Sequence, residues 1–160
     1  MNLKLIKAPI NLVEYFVTKL TFEQEPSFTP PPDNGLIIHS SIDTSFEVSK
    51  NEENPLKWRA QMSVASTSAD KGKLPYNFAI TVEAFLEVNP DYPVAEQELL
   101  VNITGNSLVY GVCREKVRQV CSHGKYKPVL IPAIRFICET KAPQNPETPK
   151  ATQPQEPDKS

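Results

Sequence analysis

Few residues of this sequence could do chemistry, and they lack the spacing that chemistry needs. The 160 residues include two histidines, His39 and His123, and three cysteines, Cys113, Cys121 and Cys138. Two imidazoles, and cysteines that form no C-x-x-C pair, predict no metal site. The sequence also has no glycine-rich phosphate loop and no strand–turn–helix elbow around a serine or cysteine nucleophile. We therefore predict no catalytic residues, no cofactor and no enzymatic activity.

The cysteines fit a role in packing. Each lies in an apolar stretch, and Cys113 and Cys121 are eight positions apart, on one face of a helix. An odd number of cysteines, each in an apolar stretch, is typical of cytoplasmic proteins whose cysteines stay reduced. No apolar run approaches the roughly 20 residues of a membrane helix, and residues 1–8 are too short and too interrupted by lysine for a signal peptide. We expect a cytoplasmic protein without membrane insertion.

The balance of positive and negative residues indicates which class of partner the protein can bind. The chain has 17 Lys and Arg residues against 19 Asp and Glu residues, a formal net charge of −2, and the charges are spread along the sequence. A basic surface for nucleic acid has no support in such a composition. We therefore expect no nucleic-acid partner.

The prolines divide the chain. A length of 160 residues is typical of one domain. Five of the 16 prolines lie in residues 142–160, which have no aromatic or branched aliphatic residue and so cannot bury enough surface to fold. We predict one folded domain over residues 1–141 and a disordered proline-rich tail over residues 142–160.

Three segments alternate apolar and polar residues, which is the pattern of strands buried on one face. Short polar turns between the segments favour antiparallel neighbours. The apolar positions predicted to face inward are Leu36, Ile38, Ile42, Phe46 and Val48 in the first segment, Leu56, Trp58, Ala60, Met62 and Val64 in the second, and Tyr76, Phe78, Ile80, Val82, Ala84, Leu86 and Val88 in the third.

A fourth strand, near the start of the chain, has two apolar faces. A strand buried on both faces needs a second layer, and one helix covers only one face of a sheet. We therefore expect a second copy of the chain to cover the other face. The inner face holds Phe16, Leu20 and Phe22, and the face predicted to form the oligomer interface holds Val13, Tyr15 and Val17.

One segment has the period of an α-helix. Asn106 is a favourable N-cap for it, and Gly124 is a favourable stop after its last turn. Residues 94–105 could add a helical turn or form a loop, and both alternatives stay open. Together with the strands, this helix predicts an α+β fold in which one main α-helix packs on an antiparallel sheet. Its apolar residues recur at intervals of three and four, at Val109, Val112, Cys113, Val117, Val120 and Cys121.

An apolar segment without a period follows the helix. Pro128 and Pro132 exclude a helix interior, so residues 126–137 should run extended over the fold, as a lid on the core or as the wall of an apolar groove. Alternation puts Leu130, Ile134 and Phe136 on one side, predicted to face the core, and Ile131 on the other, predicted to face the groove with Tyr110. An exposed apolar groove indicates a partner that brings apolar surface of its own. The candidate groove residues are Tyr110, Val129, Ile131 and Ile134.

These residues resemble the SecB-like family of protein-export chaperones. The similarity rests on the helix NSLVYGVCRE at 106–115, on SHGKYKPVLIPAIRF at 122–136, and on the strand VTKLTFE at 17–23. The resemblance implies a four-stranded antiparallel sheet packed with a helix and assembled as a homotetramer, a dimer of dimers. It also implies an ATP-independent holdase that binds unfolded or export-destined polypeptides in apolar grooves.

The partner of such a chaperone stays open at this point. Export members continue after the equivalent of Phe136 into a second long helix and an acidic tail that engages the SecA export motor, whereas this chain continues into its proline-rich tail. Relatives of the family serve as chaperones for the antitoxins of toxin–antitoxin systems. The alternatives are therefore a general holdase, with or without SecA, and an adaptor or antitoxin chaperone that holds one specific partner.

Overall fold

The computed structural model describes residues 7–32, 42–67 and 72–137. In this part of the chain, four strands form one antiparallel sheet in the order β1-β4-β3-β2, and the helices follow the last strand. The fold is thus the predicted α+β arrangement of a four-stranded antiparallel sheet with one main helix. The strands are β1 (Ile10–Gln24), β2 (Ile42–Lys50), β3 (Lys57–Ser66) and β4 (Tyr76–Val88); after a 3₁₀ turn (Val94–Glu96) come α1 (Gln97–Leu100), a π turn (Val101–Gly105) and α2 (Asn106–Cys121).

The two central strands confirm the alternation predicted for them. Every inward position of β4, from Tyr76 to Val88, is buried, and so are Trp58, Ala60, Met62 and Val64 of β3. Each of these four β3 residues is opposite an inward residue of β4, as Met62 is opposite Val82. The buried face of the sheet is the face that α2 covers, because α2 packs against both β3 and β4. We call it the α2 face and the opposite one the outer face.

Strand β1 differs from its prediction because of two β-bulges. One bulge lies between Leu12 and Glu14 and the other between Val17 and Lys19, so each places one extra residue in β1 relative to β4. An extra residue reverses the alternation of faces beyond it. Tyr15 is therefore opposite the buried Ala84 and lies on the α2 face.

The prediction that Phe16 shares a face with Leu20 and Phe22 was wrong for the same reason. Phe16 is opposite Glu83, on the outer face, whereas Leu20 and Phe22 are opposite the buried Ile80 and Phe78. Since Tyr15 and Val17 lie on the α2 face, they do not form the second apolar face that the uninterrupted alternation suggested. The strand itself was predicted, and only the assignment of its side chains to the two faces of the sheet differs.

The start of the main helix also differs from its prediction. Asn106 has helical dihedral angles and is fully buried, because the helical chain already begins at Val94 and passes through a π turn into α2. Its Nδ2 donates to the carbonyl of Asn102, one turn earlier, at 2.9 Å. Asn106 is therefore an interior residue of a helical segment and not its N-cap. The helical alternative for residues 94–105 is the correct one.

The predicted helix end is close to the observed one. Helix α2 ends at Cys121, and the N–H of Gly124 donates to the carbonyl of Cys121 at 3.1 Å. Glycine is required here for space: a Cβ on Gly124 would lie 2.6 Å from two ring carbons of Tyr76. His39, Cys138, the first residues of the predicted second strand and the tail 142–160 lie outside the described residues.

Candidate functional site

The segment after α2 forms an extended strap, defined here as residues 128–137. Two side chains of α2 hold its backbone: Tyr110 Oη donates to the carbonyl of Pro132 at 2.8 Å, and Arg114 Nε donates to the carbonyl of Ile131 at 3.1 Å. A proline has no N–H, so an extended segment with two prolines is better fixed through its carbonyls. The strap therefore follows α2 through side-chain donors to its carbonyl groups.

From Val129 to Ile134 the strap buries the side opposite to the one predicted, whereas Phe136 packs against the core as expected. Ile131 is only 4% exposed and Val129 is fully buried, whereas Leu130 and Ile134 are 36% and 38% exposed. The expectation that Leu130 faces the core was therefore wrong. Ile131 is buried but still lines the groove between α2 and the strap, so its role in a groove stays a prediction. Alternation holds between Val129 and Ile131, but the hydrogen bonds of the strap to α2 decide which side is inward. Comparing the number of large side chains on the two sides of the segment cannot show which side is buried.

An aromatic row joins the strap to strand β2. The ring of Phe136 lies edge-on between Phe46, at a centroid distance of 5.5 Å, and Tyr110, at 6.2 Å. Phe46 is opposite the buried Met62 and so lies on the α2 face, where it stays half-exposed. Edge-to-face aromatic pairs at these distances are favourable. The row thus fixes the strap over the part of the α2 face that the helix leaves open.

The apolar side chains that remain exposed here are the candidate binding surface. We call Phe46, Leu130, Ile134 and Ile137 the apolar rim; each is at least 36% exposed. Leu130 also borders a shallow groove of about 170 Å³ between α2 and the strap, with Gly111 and Arg114 on its other wall. Several exposed apolar residues along one segment are more than the isolated ones that ordinary surfaces carry.

The four predicted groove residues come together in space but differ in access. Tyr110, Val129 and Ile131 are buried between α2, the strap and the sheet, and Ile134 points outward as part of the apolar rim. Whether they bind a ligand stays a prediction. The sequence analysis missed Phe46 as part of this site, although its inward position in an edge strand, far along the chain from the strap, was a usable signal.

The electrostatics around the site show side chains held in their ordinary charge states. Burial raises the pKa of the Tyr110 hydroxyl, which keeps it a neutral donor to the strap. Burial also raises the pKa of the Cys113 thiol to about 12, so it is not an activated nucleophile. Glu115 accepts hydrogen bonds from Arg118 and Gln119 on the solvent side of α2, which lower its pKa to about 2.

Two features of the described residues bear on other classes of site. Within residues 7–32, 42–67 and 72–137, no three His, Cys, Asp or Glu side chains are grouped so as to hold a metal ion. Among the helices of the same residues, none is long and apolar enough to cross a membrane. His123 is exposed just after α2.

The predicted interface residues lie on an outermost strand. Val13 is the extra residue of the first bulge and is 61% exposed. Tyr15 and Val17 are 38% and 39% exposed although they lie on the α2 face, because α2 runs over the centre of the sheet. Lys116 of α2 reaches the ring of Tyr15 with its Nζ 5.8 Å from the centroid. Their role as an interface stays a prediction.

The fold, an antiparallel four-stranded sheet with one main helix, is shared with a solved SecB-like chaperone. One solved structure with this fold is the Mycobacterium tuberculosis Rv1957 SecB-like chaperone in complex with a ChAD peptide from the Rv1956 HigA1 antitoxin. It is similar to this chain with a TM-score of 0.52 and 13% sequence identity, over 81% of this chain and 94% of that one.

The similarity is one of structure. No family model matches the sequence, and no curated protein matches it. At 13% identity, the comparison shows that the two chains share a fold.

Proposed function

We propose that this protein is an ATP-independent holdase that binds extended, non-native polypeptide segments at the apolar rim, without a chemical step. The observation that supports the proposal most is the aromatic row with its exposed neighbours, since it leaves Phe46 and Ile134 accessible beside an outermost strand. The fold of a SecB-like chaperone, in a structure that holds a peptide, is consistent with it.

The geometry of the rim suits an extended chain. Strand β2 pairs only with β3 in the described sheet, so its other edge offers backbone N–H and C=O groups that an added strand could use. Side chains of an extended segment alternate in direction, so every second one would reach the α2 face, near Phe46 and Phe136. Backbone pairing combined with apolar contact favours many sequences over one, as a holdase requires.

An aggregation assay tests the proposal. The purified protein should delay the aggregation of several unrelated chemically unfolded proteins in the absence of ATP. Phe46→Ser and Ile134→Ser should each weaken client binding about tenfold, because each removes one apolar side chain from the contact. Leu99→Ser in α1 is the matched control: Leu99 is equally exposed but lies outside the rim, so the variant should bind like the parent.

Two outcomes would contradict the proposal. One is a parent protein that neither binds an unfolded chain nor delays its aggregation. The other is a loss of binding in Leu99→Ser equal to that in the rim variants. Urea denaturation of all three variants separates a binding defect from a folding defect.

A dedicated partner is the second candidate function. The structural neighbour holds a peptide from an antitoxin, which favours a single cognate segment, such as an antitoxin, as the ligand here. The breadth of binding distinguishes the two: similar affinity for unrelated unfolded proteins supports the general holdase, and one partner bound at least about a hundredfold more tightly supports the dedicated chaperone. Delivery of export-destined clients to SecA is a narrower form of the first function, tested by direct binding of purified SecA.

Assembly and location complete the proposal. We place the protein in the cytoplasm as a homo-oligomer, a dimer of dimers, in which each copy contributes one apolar rim. Several rims in one particle would bind a long unfolded chain at more than one point and so raise the overall affinity.

A further inference from the structure

The surface formed by α2 and the strap differs in charge from the rest of the molecule. Residues 106–137 contain six basic residues and one acidic residue, Glu115, whereas the whole chain has a formal net charge of −2. This segment is therefore the positive part of a chain that is slightly negative overall, and such a surface attracts ligands of negative charge. The six basic residues are Arg114, Lys116, Arg118, Lys125, Lys127 and Arg135.

Arg114 brings this charge into the groove between α2 and the strap. It lines the groove of about 170 Å³ together with Gly111 and Leu130. Its Nε donates to the carbonyl of Ile131 at 3.1 Å, so the guanidinium group is held in place at the wall of the groove. In the part of the chain that the structure describes, no carboxylate forms an ion pair with Arg114. Its remaining nitrogen atoms are therefore available to a ligand.

The acidic residue of the groove is already paired with another arginine. Glu115 accepts hydrogen bonds from Arg118 Nε at 2.8 Å and from Arg118 Nη2 at 2.7 Å, and Gln119 adds a third at 2.9 Å. These hydrogen bonds lower the pKa of Glu115 to about 2, so it is ionised at neutral pH. Glu115 and Arg118 both line the groove, and their charges cancel. The charge of Arg114 is the one left over.

The groove is open to a peptide backbone and continuous with the apolar rim. Gly111 lies one turn before Arg114, and a Cβ on it would meet nothing within 4 Å, so a ligand can approach α2 closely at this point. Leu130 borders the same groove, is 36% exposed and belongs to the apolar rim. A positive charge and an exposed apolar side chain therefore lie side by side.

We propose that Arg114 makes this protein selective for polypeptide segments in which an acidic side chain neighbours apolar ones. The carboxylate binds the guanidinium group in the groove, while the apolar side chains contact the rim from Leu130 onward. Arginine suits this role because its planar group donates two parallel hydrogen bonds to a carboxylate. The inference rests on the proposed holdase function and adds the class of its ligand. Internal segments of a long client have no terminal carboxylate, so the ligand group is a side chain.

Three matched peptides test the selectivity by fluorescence anisotropy. They share the same apolar residues, are acetylated and amidated to remove the terminal charges, and carry two glutamates, two glutamines or two lysines between the apolar positions. The parent protein should bind the glutamate peptide about fivefold more tightly than the glutamine peptide, and the lysine peptide most weakly. The ratio of the first two affinities should approach one at about 1 M salt, because salt screens the contact.

Three variants assign the ratio to one side chain. Arg114→Gln should reduce the ratio to about one and keep the affinity for the glutamine peptide within about threefold of the parent. Arg135→Gln is the matched control, because Arg135 is an exposed arginine of the same strap outside the groove, and it should leave the ratio unchanged. Glu115→Gln frees Arg118 and should raise the ratio, a gain that damage to the fold does not produce.

Several results would overturn the inference. A parent protein that binds the glutamate and glutamine peptides equally, and still delays client aggregation, would overturn it and leave the proposed holdase in place. Equal loss of the ratio in Arg114→Gln and Arg135→Gln would assign the preference to the general charge of the surface. Tighter binding of the glutamine peptide with a free C-terminus than of the glutamate peptide would indicate a chain end as the ligand. A single-stranded oligonucleotide that displaces the glutamate peptide at a lower concentration would indicate nucleic acid, and a protein that binds no peptide at all would contradict both proposals.

Discussion

At the scale of single residues, the turn after α2 shows how the side chain of Tyr76 limits which residue can stand at position 124. Tyr76 Oη donates to the carbonyl of Tyr126 at 2.7 Å and accepts from its N–H at 2.6 Å. The Tyr76 ring also packs on Phe22, with the centroids 4.9 Å apart. The ring is therefore fixed from both sides, and Gly124 passes directly over it. The sequence indicated a glycine that ends a helix, whereas the structure shows that the glycine also makes room for a buried tyrosine.

Gly124→Ala should accordingly destabilise the protein by about 1–3 kcal/mol, the usual cost of added volume in a packed site. The Cβ would meet ring carbons of Tyr76 that cannot move without breaking two hydrogen bonds. Gly111→Ala is the matched control, because a Cβ there meets nothing within 4 Å and removes a glycine from the interior of α2. We expect the control to be neutral or more stable by up to about 1 kcal/mol. Equal destabilisation in urea denaturation would show that helix geometry, and not the Tyr76 contact, decides both effects.

At the scale of elements, the strands of the sheet were predictable to different degrees. In β3 and β4 the alternation runs without interruption, so inward residues such as Met62 and Ile80 could be read from the sequence alone. In β1 two bulges shift the alternation, and no glycine or proline within the strand marks them. A bulge depends on how the strand pairs with its neighbour in the sheet, and the residues of one strand alone do not show that pairing. The strand could therefore be predicted from the sequence, but the face of the sheet on which Tyr15 lies could not.

The strap illustrates the same limit, and a pair of variants tests its observed orientation. Ile131→Ser should cost about 3–5 kcal/mol, because it removes a buried apolar side chain and places a hydroxyl in the core. Leu130→Ser, one residue earlier, should stay within about 1 kcal/mol of the parent, since Leu130 is partly exposed. Urea denaturation of the two variants provides the comparison. The opposite order would restore the orientation that alternation and residue size predicted, with Leu130 against the core.

At the scale of the whole molecule, the core is closed by three parts that are distant in the sequence. The sheet supplies one layer, α2 covers its centre, and the strap with Phe136 covers the side near Phe46. The predicted elements and the resemblance to SecB-like chaperones were enough to give the fold class. They were not enough to give the site, because burial of Tyr110 and exposure of Phe46 depend on where the strap crosses the sheet. Such a crossing is set by tertiary hydrogen bonds, which leave no periodic signal.

The last prediction concerns the part of the chain beyond this core. Residues 142–160 have five prolines and no aromatic or branched aliphatic side chain, so they have little apolar surface to bury against the three parts just described. Deleting them should leave the melting temperature, the oligomeric state and the binding of unfolded clients unchanged. Differential scanning calorimetry, light scattering and the aggregation assay measure the three properties on matched samples. A fall of several degrees in melting temperature would mean that the tail packs on the folded domain, and a gain in client binding would mean that it competes with clients for the apolar rim.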